Sequence, residues 1–464
     1  MTNCLSSYIE FISENILDTR FENFAQSTLD NVKSRIVDVI GCLISGAHTP
    51  GNLALVDLIK TWGGKEEATI LVHGGKVPAH NAAMVNTMMA RSFDFEPVGA
   101  FVEGVDIPSH ISGTTVIAAL NLGEMKEVSG KELITALLVG DDLACRILAA
   151  SGFGFSEGWD NTGTVNAFGS AAIAGRLLGL TKKQIQNTFG IVLNQLGGSL
   201  QNILDGTLCF RLPQGLSARN GIIAAELAKA GWNGPQDALL STFGYYYFYT
   251  DDCVYPEILL KDLGKKYYTE ATFKPYPCCR ATHSAIDCAL SIVDKYKIEI
   301  SKIEKITLKV PSWVREMFVS RPFHIREFPQ VDAAFNIRFC VANALIRENV
   351  ALEHFDENLI KDPQILSVVD KIVIEECEED TQKKFKANLE LKMKDGSKIS
   401  SKIDFPKGDP VHSPLSKEEI KKKFMNNVVY SQTVPRDNAE KLIELIDNLE
   451  KVSRVNELVE LLVI

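Results

Sequence analysis

The sequence predicts a mainly α protein, with a large all-helical domain built from both chain ends (residues 1–264 and 409–464) and a smaller α+β domain between them (265–408). Three observations carry this. Apolar residues recur at helical spacing behind capping motifs in the first half. Past about residue 265 they alternate with the period of a strand. A capping box, Ser416-x-x-Glu419, then restores helix, so the C-terminus rejoins the first domain.

In chain order, Val32, Ile36, Val39, Ile40 and Leu43 mark one face of a helix over 27–46, with Ser27 and Thr28 as candidate caps. Thr69-Ile70-Leu71-Val72, closed by Gly74-Gly75, is a short extended piece. Ala-rich 79–93 forms a helix, and Val116, Ala118, Ala119, Leu120 and Leu122 another, with Ser112 as its candidate N-cap and an irregular loop between the two. Ser129-Gly130-Lys131-Glu132 caps a helix to about Ala150, and Thr181-x-x-Gln184 one reaching Leu196. Between these, the small residues of Phe168–Gly175 let helices approach closely, and 216–230 is a further helix. The aromatics from Phe243 to Tyr249 supply packing area for a core or a subunit interface.

In the second domain Ile306, Leu308 and Val310 alternate as a half-buried strand. Leu389-x-Leu391-x-Met393 runs through Asp395-Gly396 to Ile399 as a hairpin. Gln330–Arg347 and 361–371 read as helices, and the amphipathic tail 436–463 carries Leu442, Ile443, Ile446 and Leu449.

At 464 residues and 45% hydrophobic composition the chain can bury a large core. A net charge of -10 argues against nucleic acid or an anionic membrane as partner, because neither would meet a basic face. No run reaches the roughly 18 apolar residues of a membrane span. Glu10 and Glu14 interrupt the apolar residues near the N-terminus, so no signal peptide is expected and the location expected is cytoplasmic. The ten cysteines lack CxxC or zinc spacing, which predicts buried thiols, no disulfide framework and no metal.

The chemistry centres on Arg91-Ser92-Phe93-Asp94-Phe95-Glu96 through Ile107-Pro108-Ser109-His110-Ile111-Ser112-Gly113-Thr114. Two carboxylates leave one helix and an imidazole precedes the next, which is a way to mount acid/base groups on rigid supports. Four further blocks stand out: Gly158-Trp159-Asp160-Asn161-Thr162-Gly163-Thr164; Phe210-Arg211-Leu212-Pro213-Gln214-Gly215; Phe273-Lys274-Pro275-Tyr276-Pro277-Cys278-Cys279-Arg280-Ala281-Thr282-His283; and Ala334-Phe335-Asn336 to Ala344. Together these resemble the MmgE/PrpD family, which includes 2-methylcitrate dehydratase, cis-aconitate decarboxylase and iminodisuccinate epimerase.

The resemblance implies that the α+β domain is a lid over a cleft on the helical domain, in a homodimer. It implies a cofactor-independent lyase, dehydratase-like, that moves a proton alpha to a carboxylate of a small hydroxy di- or polycarboxylate. Building negative charge there requires cations and donors placed in advance. His110 is then the principal acid/base, Asp94 its orienter and Lys274 the third catalytic group. Arg211, Arg280, Asp160, Cys279 and Thr114 are the substrate contacts. An epimerase of an amino- or imino-dicarboxylate is one alternative, and a catalytically silent dimer binding an anion or a partner protein is another. Cys278 and Cys279 are not expected to act as nucleophiles, since no base adjoins them.

Where the dehydratase and decarboxylase members carry His, Lys, His and Tyr, this chain has Asp160, Arg211, Cys279 and Phe339, and Asp141 stands where an aromatic Tyr is common. Arg211 keeps a cation. Asp160 and Asp141 add carboxylates near the cleft, which would repel a tricarboxylate and favour a smaller anion or one bearing an amine or hydroxyl.

Overall fold

The structure is a computed structural model that describes residues 2–152, 158–250, 252–378 and 383–463. Its helical part begins with Thr2–Asp18 and continues with α1 (Gln26–Gly46) and α2 (Ala79–Ala90). A hairpin of β1 (Ala100–Val102) and β2 (Val105–Ile107) precedes α3 (Ser112–Lys126), α4 (Gly130–Ala150), α5 (Val165–Leu177) and α6 (Leu212–Lys229). The α+β part contains α7 (His283–Lys295), β3 (Ile303–Val310), α8 (Ile337–Arg347), β4 (Ile372–Glu376), β5 (Ala387–Met393) and β6 (Lys398–Ile403). The chain then returns to helix in α9 (Lys417–Ser431) and α10 (Arg436–Asp447). The fold is mainly α with a smaller α+β part, as the sequence predicts.

Two apolar clusters hold these parts. One joins Ile36, Val39, Leu43, Ile117, Leu137 and Ile173 to Phe424, Leu442 and Ile446, so both chain ends share one core. The other joins Ile286, Leu308, Val341 and Leu389. The changeover falls between Phe273, in the first, and Tyr276, in the second. Phe93, Phe95 and Phe210 of the helical part pack into the second cluster, and they pin the segment carrying Asp94 and Glu96 between the two cores.

The four-stranded sheet has the order β4-β3-β5-β6; β3 pairs parallel to β4 and antiparallel to β5. Leu308 lies opposite both Ile374 and Leu389, and Leu391 opposite Ile399, so the alternating residues stack on one face.

Several local expectations need correction. The segment between α2 and α3 is not wholly irregular, because Phe101 pairs with Asp106 in the β1–β2 hairpin. Ser112 is not an N-cap: Ile111 holds that position, and the Ser112 hydroxyl accepts a hydrogen bond from Arg35 at 3.2 Å. α1 starts at Gln26 without a side-chain cap from Ser27 or Thr28. The helix expected over Gln330–Arg347 breaks into Pro329–Ala334 and α8, because Asn336 accepts from the amides of Arg338 and Phe339 and starts a new helix. The capping boxes at Thr181–Gln184 and Ser416–Glu419 form as predicted. Among the described residues no helix is long and apolar enough to cross a membrane.

Close helix contact positions the site. An ideal Cβ on Gly46, at the end of α1, would overlap the carbonyl oxygen of Met89 in α2. Only glycine therefore lets the end of α2, and Arg91 just beyond it, sit this deep. Three residues later Asp94 adopts φ 51°, a left-handed conformation costly for a residue with a Cβ and retained where the surroundings over-determine it.

Candidate active site

Five ionisable side chains converge where α2 ends, α3 begins and the Lys274 segment crosses. Arg91 Nη1 donates to Asp94 Oδ1 and, at 3.1 Å, to Glu96 Oε1. Lys274 Nζ donates to Asp94 Oδ2 at 2.6 Å and to the Asp94 carbonyl at 2.5 Å. His110 places Nδ1 3.0 Å from Glu96 Oε1 and Nε2 3.4 Å from Asp94 Oδ1. Asp94, Glu96 and Lys274 are all but inaccessible to solvent, while His110 is 14% exposed.

The charges follow from these contacts. Burial opposes ionisation of Asp94, but Lys274 and then Arg91 outweigh it and hold the carboxyl below its usual range. Burial likewise opposes ionisation of Glu96, and Arg91 with His110 overcomes it. For His110 the balance runs the other way: burial, then the charge of Arg91, pushes its pKa below the ordinary value despite the neighbouring carboxylates. Each ring nitrogen faces a carboxylate, which can only accept, Nδ1 at 3.0 Å from Glu96 and Nε2 at 3.4 Å from Asp94; the closer contact favours the proton of the neutral imidazole on Nδ1 and the lone pair on Nε2. The donor atoms of Asp94, Glu96 and His110 lie within 4.8 Å of one another, a spacing that would suit a metal ion. Arg91 Nη1 contacts Asp94 and Glu96 and lies 3.3 Å from His110 Nδ1, so a guanidinium already supplies positive charge to this set.

The cluster opens into a cavity of ≈ 70 Å³. Arg91, Asp94, His110, Asp160, Asn161 and Arg280 supply polar walls; Leu200, Ile203, Trp313, Phe318, Phe335 and Phe385 supply apolar ones. One water takes up roughly 10–15 Å³ of such space, so the cavity suits a compact molecule.

Of the eight predicted site residues, Asp94, His110, Asp160, Cys279 and Arg280 line this cavity. Lys274, Arg211 and Thr114 stand behind its walls. Lys274 is covered by Asp94. Thr114 accepts from Asn166 at 2.8 Å. Arg211 donates to the Pro50 carbonyl at 2.9 Å and to Thr49 Oγ1 at 3.3 Å, with no carboxylate paired to it among the described residues. Its guanidinium and that of Arg91 each lie 5.4 Å from the centre of the Phe210 ring.

Asp160 accepts from the Thr162 amide at 2.9 Å as a helix cap. Arg280 Nη1 donates to the Lys407 carbonyl at 2.7 Å, tying the cavity wall to the chain leaving the sheet. Burial pushes the Cys279 thiol up to about 12, and Cys278 is raised as well. Asp141 pairs with Arg35 and accepts from Thr115 Oγ1 at 2.5 Å. Of the two carboxylates expected to repel a tricarboxylate, Asp141 is therefore already neutralised and does not face the cavity. Phe339 packs between Phe323 and Phe355, away from the cavity lining.

Arg91 and Glu96 carry more of the site than their sequence context announces. Arg91 has the i,i+3 spacing to Asp94 that lets side chains meet across a helical turn, and that spacing is the signal available. No local pattern announces that both would meet an imidazole from the segment just before α3.

The family description MmgE/PrpD N-terminal domain matches residues 10–256, and MmgE/PrpD C-terminal domain matches residues 276–451. Similar proteins include cis-aconitate decarboxylase of Homo sapiens, 24% identical and covering 99% of this chain and 95% of that protein. The cis-aconitate decarboxylase of Mus musculus is 24% identical over 99% of this chain and 94% of its own length. That of Aspergillus terreus is 22% identical over 95% and 93%. Two family descriptions in tandem and enzymes aligned end to end agree with the two cores and the cavity between them: the chain belongs to the MmgE/PrpD family.

Proposed function

We propose that the protein is a lyase that needs no cofactor, taking a proton from the carbon alpha to a carboxylate of a small hydroxy di- or polycarboxylate and expelling water. The observation that carries this is His110 at the cavity wall, kept neutral by burial, with Nδ1 3.0 Å from the Glu96 carboxylate. Such an imidazole is a base before substrate arrives. As the α proton leaves, negative charge grows on the substrate carboxylate. Arg91 meets it at the wall, and Lys274, Arg211 and Arg280 add positive charge in or just behind the walls, already oriented. Asp94, bound by Lys274 and Arg91, fixes their positions.

Decarboxylation is the second reading, favoured by the names of the similar enzymes. It draws its electron pair from the bond to the departing CO₂ and needs an acid, not a base, which is why neutral His110 points first to dehydration. Incubating the protein in heavy water with a panel of hydroxy-, methyl- and amino-dicarboxylates and following proton NMR separates the possibilities. Dehydration gives an olefin, decarboxylation gives CO₂, and epimerisation gives deuterium uptake alone. His110→Gln should abolish the signal; a signal that survives it, or a wholly inert panel, rejects the reading.

A further inference from the structure

Among the described residues, Asp106 is the one cavity carboxylate to which neither the sequence nor the family resemblance assigns a role. It sits on β2, opposite Phe101, and its Oδ1 is buried with no hydrogen-bond partner among the described residues. An ideal Cβ on Gly99 would lie 2.8 Å from that oxygen, so the bare glycine backbone at φ 93° makes room for it. Asp94 is held by Lys274 and Arg91, and Asp160 by the Thr162 amide. Asp106 lines the same cavity, and among the described residues nothing donates to its Oδ1. It also lines a second, outer cleft of ≈ 980 Å³, so one carboxyl stands between the inner cavity and an open space.

The charged groups acting on it are Lys384, Arg280 and Asp409. Burial is the largest influence and raises its pKa to about 6; Lys384 and Arg280 oppose this rise and Asp409 adds to it. Lys384 donates to the Asp106 carbonyl at 3.1 Å, which leaves the carboxyl itself unpaired.

Dehydration needs both a base at the α carbon and an acid at the departing oxygen, and His110 supplies only the first. We propose that Asp106 is a second catalytic residue, the acid that protonates the leaving hydroxyl of a small hydroxycarboxylate. His110 Nε2 takes the α proton, the C–H pair becomes the new C=C bond, and the C–O bond breaks. The Asp106 proton passes to that oxygen, giving water. Asp106 is left as carboxylate and regains a proton from the outer cleft, while His110 returns its own to solvent. This rests on the proton-transfer reading above.

The test compares wild type, Asp106→Asn, Asp106→Glu and His110→Gln on the hydroxycarboxylate the NMR panel identifies, reading elimination and α-carbon deuterium exchange across pH. Asp106→Asn should slow elimination by about 10²-fold or more while leaving exchange within about threefold. It should also remove the fall in activity as pH rises through about 6. Asp106→Glu keeps an acid and should restore part of the rate. His110→Gln should lose both reactions. Elimination unchanged in Asp106→Asn with an unchanged pH profile overturns the role of Asp106 alone. Loss of exchange and elimination together in Asp106→Asn, with Asp106→Glu no better, also overturns it by showing a structural role. An inert panel overturns both readings.

Discussion

Nδ1 of His110 lies 3.0 Å from Oε1 of Glu96, and that oxygen is also held by Arg91 at 3.1 Å. Asp94 Oδ1 is farther, 3.4 Å from Nε2, so Glu96 and not Asp94 is the nearer carboxylate partner of the imidazole, and the proposed base depends on it to hold the proton on Nδ1.

Glu96→Gln should therefore behave as a tautomer mutant. The amide can donate to Nδ1 as well as accept, which releases the proton to Nε2 and removes the base. A fall of about 10²–10⁴-fold in kcat with KM little changed is expected. Steady-state kinetics check this; a loss seen only in KM rejects it.

The pH profile follows from the depressed pKa of His110. Neutral His110 is the active base, so activity should fall as pH drops through its pKa, on an acid limb below the ordinary value of about 6.5. Linkage has the same sign. Because the folded pKa lies below the unfolded one, this residue contributes stability fully present above about 6.5 and lost as pH falls through the folded value. Thermal melts of wild type and His110→Gln across that window should converge at the acid end.

Arg91 neutralises two buried carboxylates. Arg91→Met should destabilise the fold by about 3–5 kcal/mol, since removing one partner strands buried charge. Arg91→Lys should recover part of this, because a lysine restores charge but not a fork. Urea unfolding measures both.

Cys279 lines the cavity with its thiol pushed up to about 12. At neutral pH it should resist iodoacetamide, and Cys279→Ala should keep activity within about threefold. Rapid alkylation with loss of activity would restore a nucleophilic role.

Gly46→Ala sets a methyl against the Met89 carbonyl, a backbone atom that cannot swing away. A loss of about 1–3 kcal/mol is expected from overpacking. Activity should fall further than stability explains, because the displaced helix carries Arg91.

Much of the fold is legible in the sequence because periodicity and capping are local. The boxes at Thr181 and Ser416 and the Asp395-Gly396 turn each need a few neighbouring residues to act. Asp94, Glu96 and His110 are visible as reactive types at the ends of two helices for the same reason. Tertiary structure alone decided their partners. It put Lys274, 180 residues from Asp94, on the second oxygen of that carboxylate, kept Arg211 out of the cavity lining, and neutralised Asp141 with Arg35. It also left Asp106 unpaired at the wall. Ionisation and hydrogen bonding depend on which distant groups burial brings within a few ångströms, and no local pattern carries that.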